Sequence, residues 1–454
     1  MTKKKHIVLC VAMLLLVSLI VGLSGCATMG DAMAYNNRGN TYYNKGDYDR
    51  AIAYYTQALG IDPNYATVYN NRGNAYANKG DYDRAIADYT QALGIEPNYA
   101  IAYNHRGIAY RNNGDYDRAI ADYTQAIRLD PTYAAAYYNR GIAYRSNGDN
   151  DLAIADYTQA LSLDPNYAAA YNNRGNAYRN NGDYDWAIVD YTHALGFDSN
   201  NALAYNNRGN AYRNKEDYDR AIADYTQALA LNPNYVVAYT NRGNAYYYKG
   251  DYDRAIADYT QVLRLNPDDA VVYINRGIAY ADRGDNDRAI VDFNQALRLD
   301  PNDTEAYYNR GNAYGRKGDY DQAIADYSEA LRPALHDAEA YYNRGNAYRY
   351  KGDNDRAIAD YTQALALNPY DAATYYNRGI AYRNKGDYDR GIADFTQSLV
   401  IDPDDAAVYY NRGIAYYYKK DYTRARAEWE KALQLNPNDT DARGNLELLR
   451  NMGY

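Results

Sequence analysis

Residues 32–64 read AMAYNNRGNTYYNKGDYDRAIAYYTQALGIDPN. Within this stretch Tyr35, Gly39 and Tyr42 share one helical face at i, i+4, i+7. Ala51, Tyr55, Ala58 and Leu59 share another at i, i+4, i+7, i+8. Gly46-Asp47 separates the two patterns: the glycine breaks the first helix, and the aspartate is suited to cap the second. Pro63 closes the stretch because it cannot continue a helix. The reading is helix, tight turn, helix, turn.

The unit recurs without insertion or deletion. Arg-Gly begins at residues 38, 72, 106, 140, 174, 208, 242, 276, 310, 344, 378 and 412, always 34 residues apart. Twelve such units fill residues 32–439. A fixed period of this size marks stacked supersecondary units, none able to bury its apolar face alone, and so one quasi-one-dimensional array. The Gly39 place is Gly in all twelve units, and the Ala51 place is Ala in eleven, with Gly391 the exception. Small residues let helix axes approach, and the flanking tyrosines fill the remaining volume. Tyr occurs 61 times against 3 Phe and 2 Trp, so aromatic packing falls to a side chain with a polar tip.

Tyr35-x2-Arg38-Gly39-x2-Tyr42, Ala51-x3-Tyr55 and Pro63 together resemble the tetratricopeptide repeat. The resemblance covers about nine-tenths of the chain. It implies an all-α helix-turn-helix solenoid, a right-handed superhelix of twelve repeats whose first helices line the concave side. Residues 440–454 then supply a capping helix and tail, the helix running from Thr440 to Asn451. One departure stands out. Where the family usually has Leu before the Gly, every unit here has Arg. Sixteen residues further on stands Asp in ten units, Glu428 in the last and Tyr54 in the first. A recurring Arg–carboxylate pair is expected, within a unit or between neighbours.

The resemblance also implies that a protein or extended peptide lies along the concave first-helix surface. At the sixth place of the units stand Asn37, Asn71, His105, Asn139, Asn173, Asn207, Asn241, Asn275, Asn309, Asn343, Asn377 and Asn411. A carboxamide both donates and accepts, so such a ladder can match a peptide backbone without reading side chains. The same groups could instead bond one another between repeats. The ninth place alternates between Asn and Ile, and the twelfth carries Arg111, Arg145, Arg179, Arg213, Arg349 and Arg383. Towards the C-terminus the groove gains Tyr342, Tyr350, Tyr376, Tyr410, Tyr417 and Tyr418, and aromatics mixed with Arg349 and Arg383 suit a binding hot spot. With aspartates at the turns and arginines in the groove, segments carrying acidic side chains would be favoured. The competing class is a structural spacer or surface lipoprotein with no dedicated ligand. In repeat nine, Arg332-Pro333-Ala334-Leu335-His336 brings the proline two residues early and should end the second helix sooner.

The N-terminus reads as an export signal. Lys3-Lys4-Lys5 precedes an apolar run from Ile7 to Leu23. Leu23-Ser24-Gly25-Cys26 resembles the lipobox of bacterial lipoproteins, which implies removal of residues 1–25 and acylation of Cys26. Residues 26–31 then form a short lipidated tether, at most about 20 Å long. An uncleaved membrane anchor is the alternative, since 17 residues is the low edge of a spanning helix. Ala27, not Asp, follows the cysteine, and the resemblance to lipoproteins sorted in Gram-negative envelopes then implies the outer membrane. Cys10 would leave with the signal, so no disulfide framework remains. A net charge of −9 makes nucleic acid a poor partner. Four histidines, widely spaced, and no GKS/T, HExxH or GxSxG motif argue against metal, cofactor and enzyme. Oligomeric state is left open.

Overall fold

The structure, a computed structural model, describes residues 29–333 and 336–454. The signal segment 1–25, Cys10, Cys26 and the start of the tether lie outside the described residues, as do Ala334 and Leu335 of the repeat-nine turn. Every regular element among the described residues is a helix. A helix covers residues 29–44 and is followed by Tyr48–Ile61. From Ala66–Asn78 with Tyr82–Ile95 to Ala406–Tyr418 with Tyr422–Leu435, each 34-residue repeat adds one antiparallel pair. Thr440–Asn451 ends the array. The chain divides into two compact units, one ending at Asn232 and the other spanning Pro233–Tyr454. The first holds the helix pairs of repeats one to six, the second those of repeats seven to twelve and the terminal helix.

Each pair forms for the reasons written in its sequence. The Asp47 side chain accepts a hydrogen bond from the Arg50 amide at 3.1 Å and caps the second helix, as Asp81, Asp115 and Asp217 do in later repeats. The glycine at the eighth place of each repeat faces the ring sixteen residues on. A Cβ added to Gly209 would stand 2.7 Å from Cε1 of Tyr225, whose side chain is fully buried. Glycine is therefore required there by contact rather than by backbone conformation.

The Arg–carboxylate pairs lie within each repeat, which answers the question left open by the sequence. In repeat six, Arg208 Nε donates to Asp224 Oδ2 and Nη2 to Oδ1, both at 2.8 Å. The third nitrogen reaches backwards: Nη1 donates to Thr192 Oγ1 of repeat five at 3.0 Å. Thr192 in turn donates to the Ile188 carbonyl at 2.7 Å. The same three bonds recur at Arg72, Arg106, Arg140, Arg174, Arg378 and, with Glu428, Arg412. One guanidinium thus clamps the two helices of its own repeat and ties them to the preceding one. These arginines are not free to serve a ligand.

Repeat nine shortens as its early proline requires. Its second helix, Tyr320–Leu331, has 12 residues, against 14 for Asn286–Leu299 before it. At the C-terminus, Leu446 and Leu449 of the last helix pack on Trp429 and Ala432, closing the apolar face of repeat twelve. Within each unit, consecutive first helices touch one another across repeats more closely than consecutive second helices do. The first helices therefore lie on the inner face.

Candidate functional site

The sixth-place ladder is brought onto that inner face, and most of its amide donors already have partners. Asn71 Nδ2 donates to Asn36 Oδ1 at 3.1 Å, Asn139 to Asn104 at 2.9 Å and Asn207 to Asn172 at 3.3 Å. Asn173, Asn343, Asn377 and Asn411 donate instead to the hydroxyls of Tyr138, Tyr308, Tyr342 and Tyr376, at 2.7, 2.9, 2.9 and 3.0 Å. Each of these partners is the fifth-place residue of the preceding repeat. Asn309 donates to the Glu305 carbonyl of its own helix. Asn37 is exposed, Asn275 is half-buried, and Asn241 occupies the same place on Val236–Tyr248. What most of the ladder keeps for a ligand is a carbonyl oxygen. His105 follows the pattern, its Nδ1 lying 2.9 Å from Asn70 Oδ1, and burial pushes its pKa down to about 4.

The C-terminal aromatic group separates into two kinds. Tyr350 and Tyr418 are 60% and 58% exposed, each stacked on the tyrosine that opens the preceding second helix, Tyr320 and Tyr388. Tyr342, Tyr376 and Tyr410 are half-buried, the first two holding ladder asparagines. Tyr417 packs against Trp429 and Tyr422 and reaches Met452 Sδ, so it belongs to the joint with the terminal helix. Arg349 lies over the Tyr350 ring at 4.3 Å. Arg383 donates to Asn411 Oδ1 and Asn384 Oδ1, and burial lowers its pKa.

A cavity of about 410 Å³ opens on the inner face of repeats nine and ten. Its wall includes Gly315, the twelfth place of repeat nine, where repeats ten and eleven carry Arg349 and Arg383 and repeat eight carries Ala281. Tyr308, Tyr320, Tyr327 and Tyr350 form its aromatic walls, with Asn312, Asn343 and Asn346 between them and Glu339 at one side. Burial raises the Tyr308 hydroxyl pKa, and the Glu339 carboxylate beside it raises it further. Arg316 at the rim is turned away, donating to the Ala281 carbonyl at 3.0 Å and pairing with Asp282. The sequence reading passed over this site. Its signal was one glycine in a column otherwise occupied by Arg, Tyr or Ala.

With this geometry described, the family follows. Models described as tetratricopeptide repeat match residues 32–65, 70–134, 104–168, 168–201, 202–235, 236–269, 308–372, 342–406 and 406–439, and one described as TPR repeat matches 279–318. The chain is a tetratricopeptide repeat protein. Among solved structures this tetratricopeptide repeat chain is similar to YrrB, described as a TPR protein with an unusual peptide-binding site. That match is 27% identical, covers 42% of this chain and 97% of YrrB, and has a TM-score of 0.39. It is also similar to MamA, at 32% identity over 36% of this chain and 94% of that one, TM-score 0.34. Yeast Tom70 matches at 18% identity over 93% and 96% of the two chains, TM-score 0.37. No curated protein matches the sequence. Among the described residues no group of three or more His, Cys, Asp or Glu could hold a metal ion, and no helix is long and apolar enough to cross a membrane.

Proposed function

We propose that this protein is an interaction scaffold that holds an extended polypeptide segment along the inner, first-helix face of its repeats. The observation that carries this reading is the Gly315 cavity. Its volume of about 410 Å³ falls in the range of sites that enclose a small ligand or a side chain. It is walled by tyrosines and fringed by asparagines, the combination that gives contact area at low entropy cost together with adaptable hydrogen bonding. A segment seated in it would continue along the ladder carbonyls and the exposed rings of Tyr350 and Tyr418.

The test is to refill the cavity. Gly315→Arg installs the residue that repeats ten and eleven carry at this place, and a Cβ at Gly315 meets nothing closer than 3.7 Å, so folding is expected to survive. Peptides selected from a random library against the chain should lose binding to this variant. Unchanged binding would remove the cavity from the site, and a library yielding no binder would favour the spacer reading.

The scaffold is further proposed to be exported and lipid-anchored in a bacterial envelope, on the outer membrane of a Gram-negative cell. Support comes from the Leu23-Ser24-Gly25-Cys26 motif after a basic and apolar leader. An assembly adaptor of the envelope is the role this suits. Cys26→Ser should release the protein from membranes, whereas persistent attachment would point to an uncleaved anchor.

A further inference from the structure

The ninth and twenty-fourth places of the repeats are matched in chemistry. Where the ninth is Asn, the twenty-fourth is a buried Tyr whose hydroxyl donates to it, as Tyr89 does to Asn74 at 2.7 Å, Tyr191 to Asn176 at 2.8 Å and Tyr225 to Asn210 at 2.8 Å. Where the ninth is Ile278, Ile380 or Ile414, the twenty-fourth is Phe293, Phe395 or Trp429, so no hydroxyl is stranded. Repeats three and four break this rule. Ile108 and Ile142 are paired with Tyr123 and Tyr157, whose side chains are fully buried and whose hydroxyl protons have no acceptor; the Arg145 guanidinium beside the Tyr157 oxygen can only donate to it. A stranded buried hydroxyl costs stability that the Phe used elsewhere in this chain would avoid.

The same two repeats hold cations with unmet donors. Arg111 Nη1 and Arg145 Nε are buried without an acceptor, while Arg111 Nη2 donates to Asn112 Oδ1 at 3.4 Å and Arg145 donates to the Tyr157 hydroxyl. Both guanidiniums pull down the pKa of Tyr157, against the larger upward push of burial, and both also act on Tyr138. Two positive charges from successive first helices therefore act on the same pair of hydroxyls, Tyr138 and Tyr157. Arg179 and Arg213 continue the row at the same place of repeats five and six, each acting on the buried tyrosine of its own repeat.

We propose that the inner face of repeats three to six binds the carboxylates of an acidic, extended polypeptide segment, with Arg111 and Arg145 as the principal cations and the Tyr123 and Tyr157 hydroxyls as buried donors. This rests on the inner-face reading above and names the chemistry of its occupant. Charge complementarity carries it: a row of guanidiniums and stranded O–H donors is completed by oxyanions. The spacing is suitable. Neighbouring first helices are in contact, so their axes lie roughly 8–10 Å apart, which an extended chain rising about 3.3 Å per residue spans in about three residues. An acidic side chain at every third residue would meet one arginine per repeat.

Fluorescence anisotropy on the full chain tests this with labelled peptides of repeated Glu-Gly-Ser, Gln-Gly-Ser and Lys-Gly-Ser triplets. The Glu peptide should bind best and weaken with salt. The double variant Arg111→Gln/Arg145→Gln should weaken it by about tenfold or more. Tyr123→Phe/Tyr157→Phe should weaken it by roughly threefold or more while thermal stability stays level or rises, because the stranded hydroxyls are gone. Arg118→Gln, on the second-helix face and 69% exposed, should change nothing. Unchanged affinity in the arginine variant would overturn the proposal. So would displacement of the peptide by free glutamate at equal carboxylate concentration, which would assign a small acid, or arginine-dependent self-association, which would assign a second copy. If Gln and Glu peptides bind alike, the acidic assignment fails and the inner-face reading stands; if neither binds while peptides selected against the Gly315 cavity do, this site alone falls.

Discussion

Replacing Arg208 by Met tests whether the arginine before each glycine is structural. The substitution removes two bonds to Asp224 and one to Thr192, and leaves a carboxylate that is only 5% exposed without its cation. Breaking a buried pair from one side costs about 3–5 kcal/mol. Asp224→Leu should cost nearer the lower end, about 3 kcal/mol, because the Arg208 side chain keeps 18% exposure and can lean towards water. The double variant Arg208→Met/Asp224→Leu should cost far less than the sum, within about 1–2 kcal/mol of the parent, since both desolvation penalties vanish together. Related pairs point the same way: burial raises the Asp88 and Asp326 carboxyl pKa values more than Arg72 and Arg310 lower them. For those two carboxyls the folded state holds the proton more tightly than the unfolded chain. Their contribution therefore falls as pH rises from the ordinary carboxylate value towards the raised one. A long array does not unfold in one step, so the readout is hydrogen exchange of the amides in repeats five and six. A single-variant loss below about 1 kcal/mol, or a double variant as damaged as the summed singles, would refute the reasoning.

Gly209→Ala should destabilise its repeat by about 1–3 kcal/mol, because the overlap with Tyr225 outweighs a helix-propensity gain of about 1 kcal/mol; a neutral melt would contradict the contact. Glu216 holds φ +60° at a turn place where Gly46, Gly80 and Gly114 also have positive φ, so Glu216→Gly should gain about 1 kcal/mol in urea unfolding. His105, with its pKa lowered to about 4, is neutral when folded, so its contribution is complete above the unfolded value near 6.5. That contribution is lost as pH falls from about 6.5 to about 4, in total about 3 kcal/mol, and imidazole NMR titration should give a midpoint near 4. Ile108→Asn should give Tyr123 the acceptor that Tyr89 has, raising stability by about 1 kcal/mol in thermal melts.

How much of this was legible in the sequence depends on whether the signal was periodic. The helix pairs, the Asp47-type caps and the close helix approach at the Gly39 place follow from residues recurring at fixed intervals, and the early end of the repeat-nine second helix follows from the one proline that leaves its interval. The Arg–Asp spacing of sixteen was visible too, but not its location, because i+16 within a repeat and a crossing to the neighbour look alike without coordinates. The backward bond to threonine was likewise invisible, since nothing in a threonine distinguishes it from a solvated one. The asparagine ladder shows the limit most clearly. Its partner is the fifth place of the preceding repeat, 35 residues back, where Asn and Tyr alternate and mask the rule. Tyr417 read as groove because it ends a first helix, yet the terminal helix lies against it.

On the proposed reading, departures from the period carry the functional information, because the period sets what each place should satisfy. Gly315 departs by removing a side chain, and the result is a space. Ile108 and Ile142 depart by removing an acceptor, and the result is two hydroxyl protons without one. Both changes cost stability where they occur, through lost packing in one case and unmet polarity in the other. Both fall on the inner face, while the Arg–carboxylate clamps recur from Arg72 in repeat two to Arg412 in repeat twelve. A pure spacer would have no reason to carry these two costs on its inner face. Repeats that hold a ligand do, because the free energy missing from the empty array is recovered when the ligand binds.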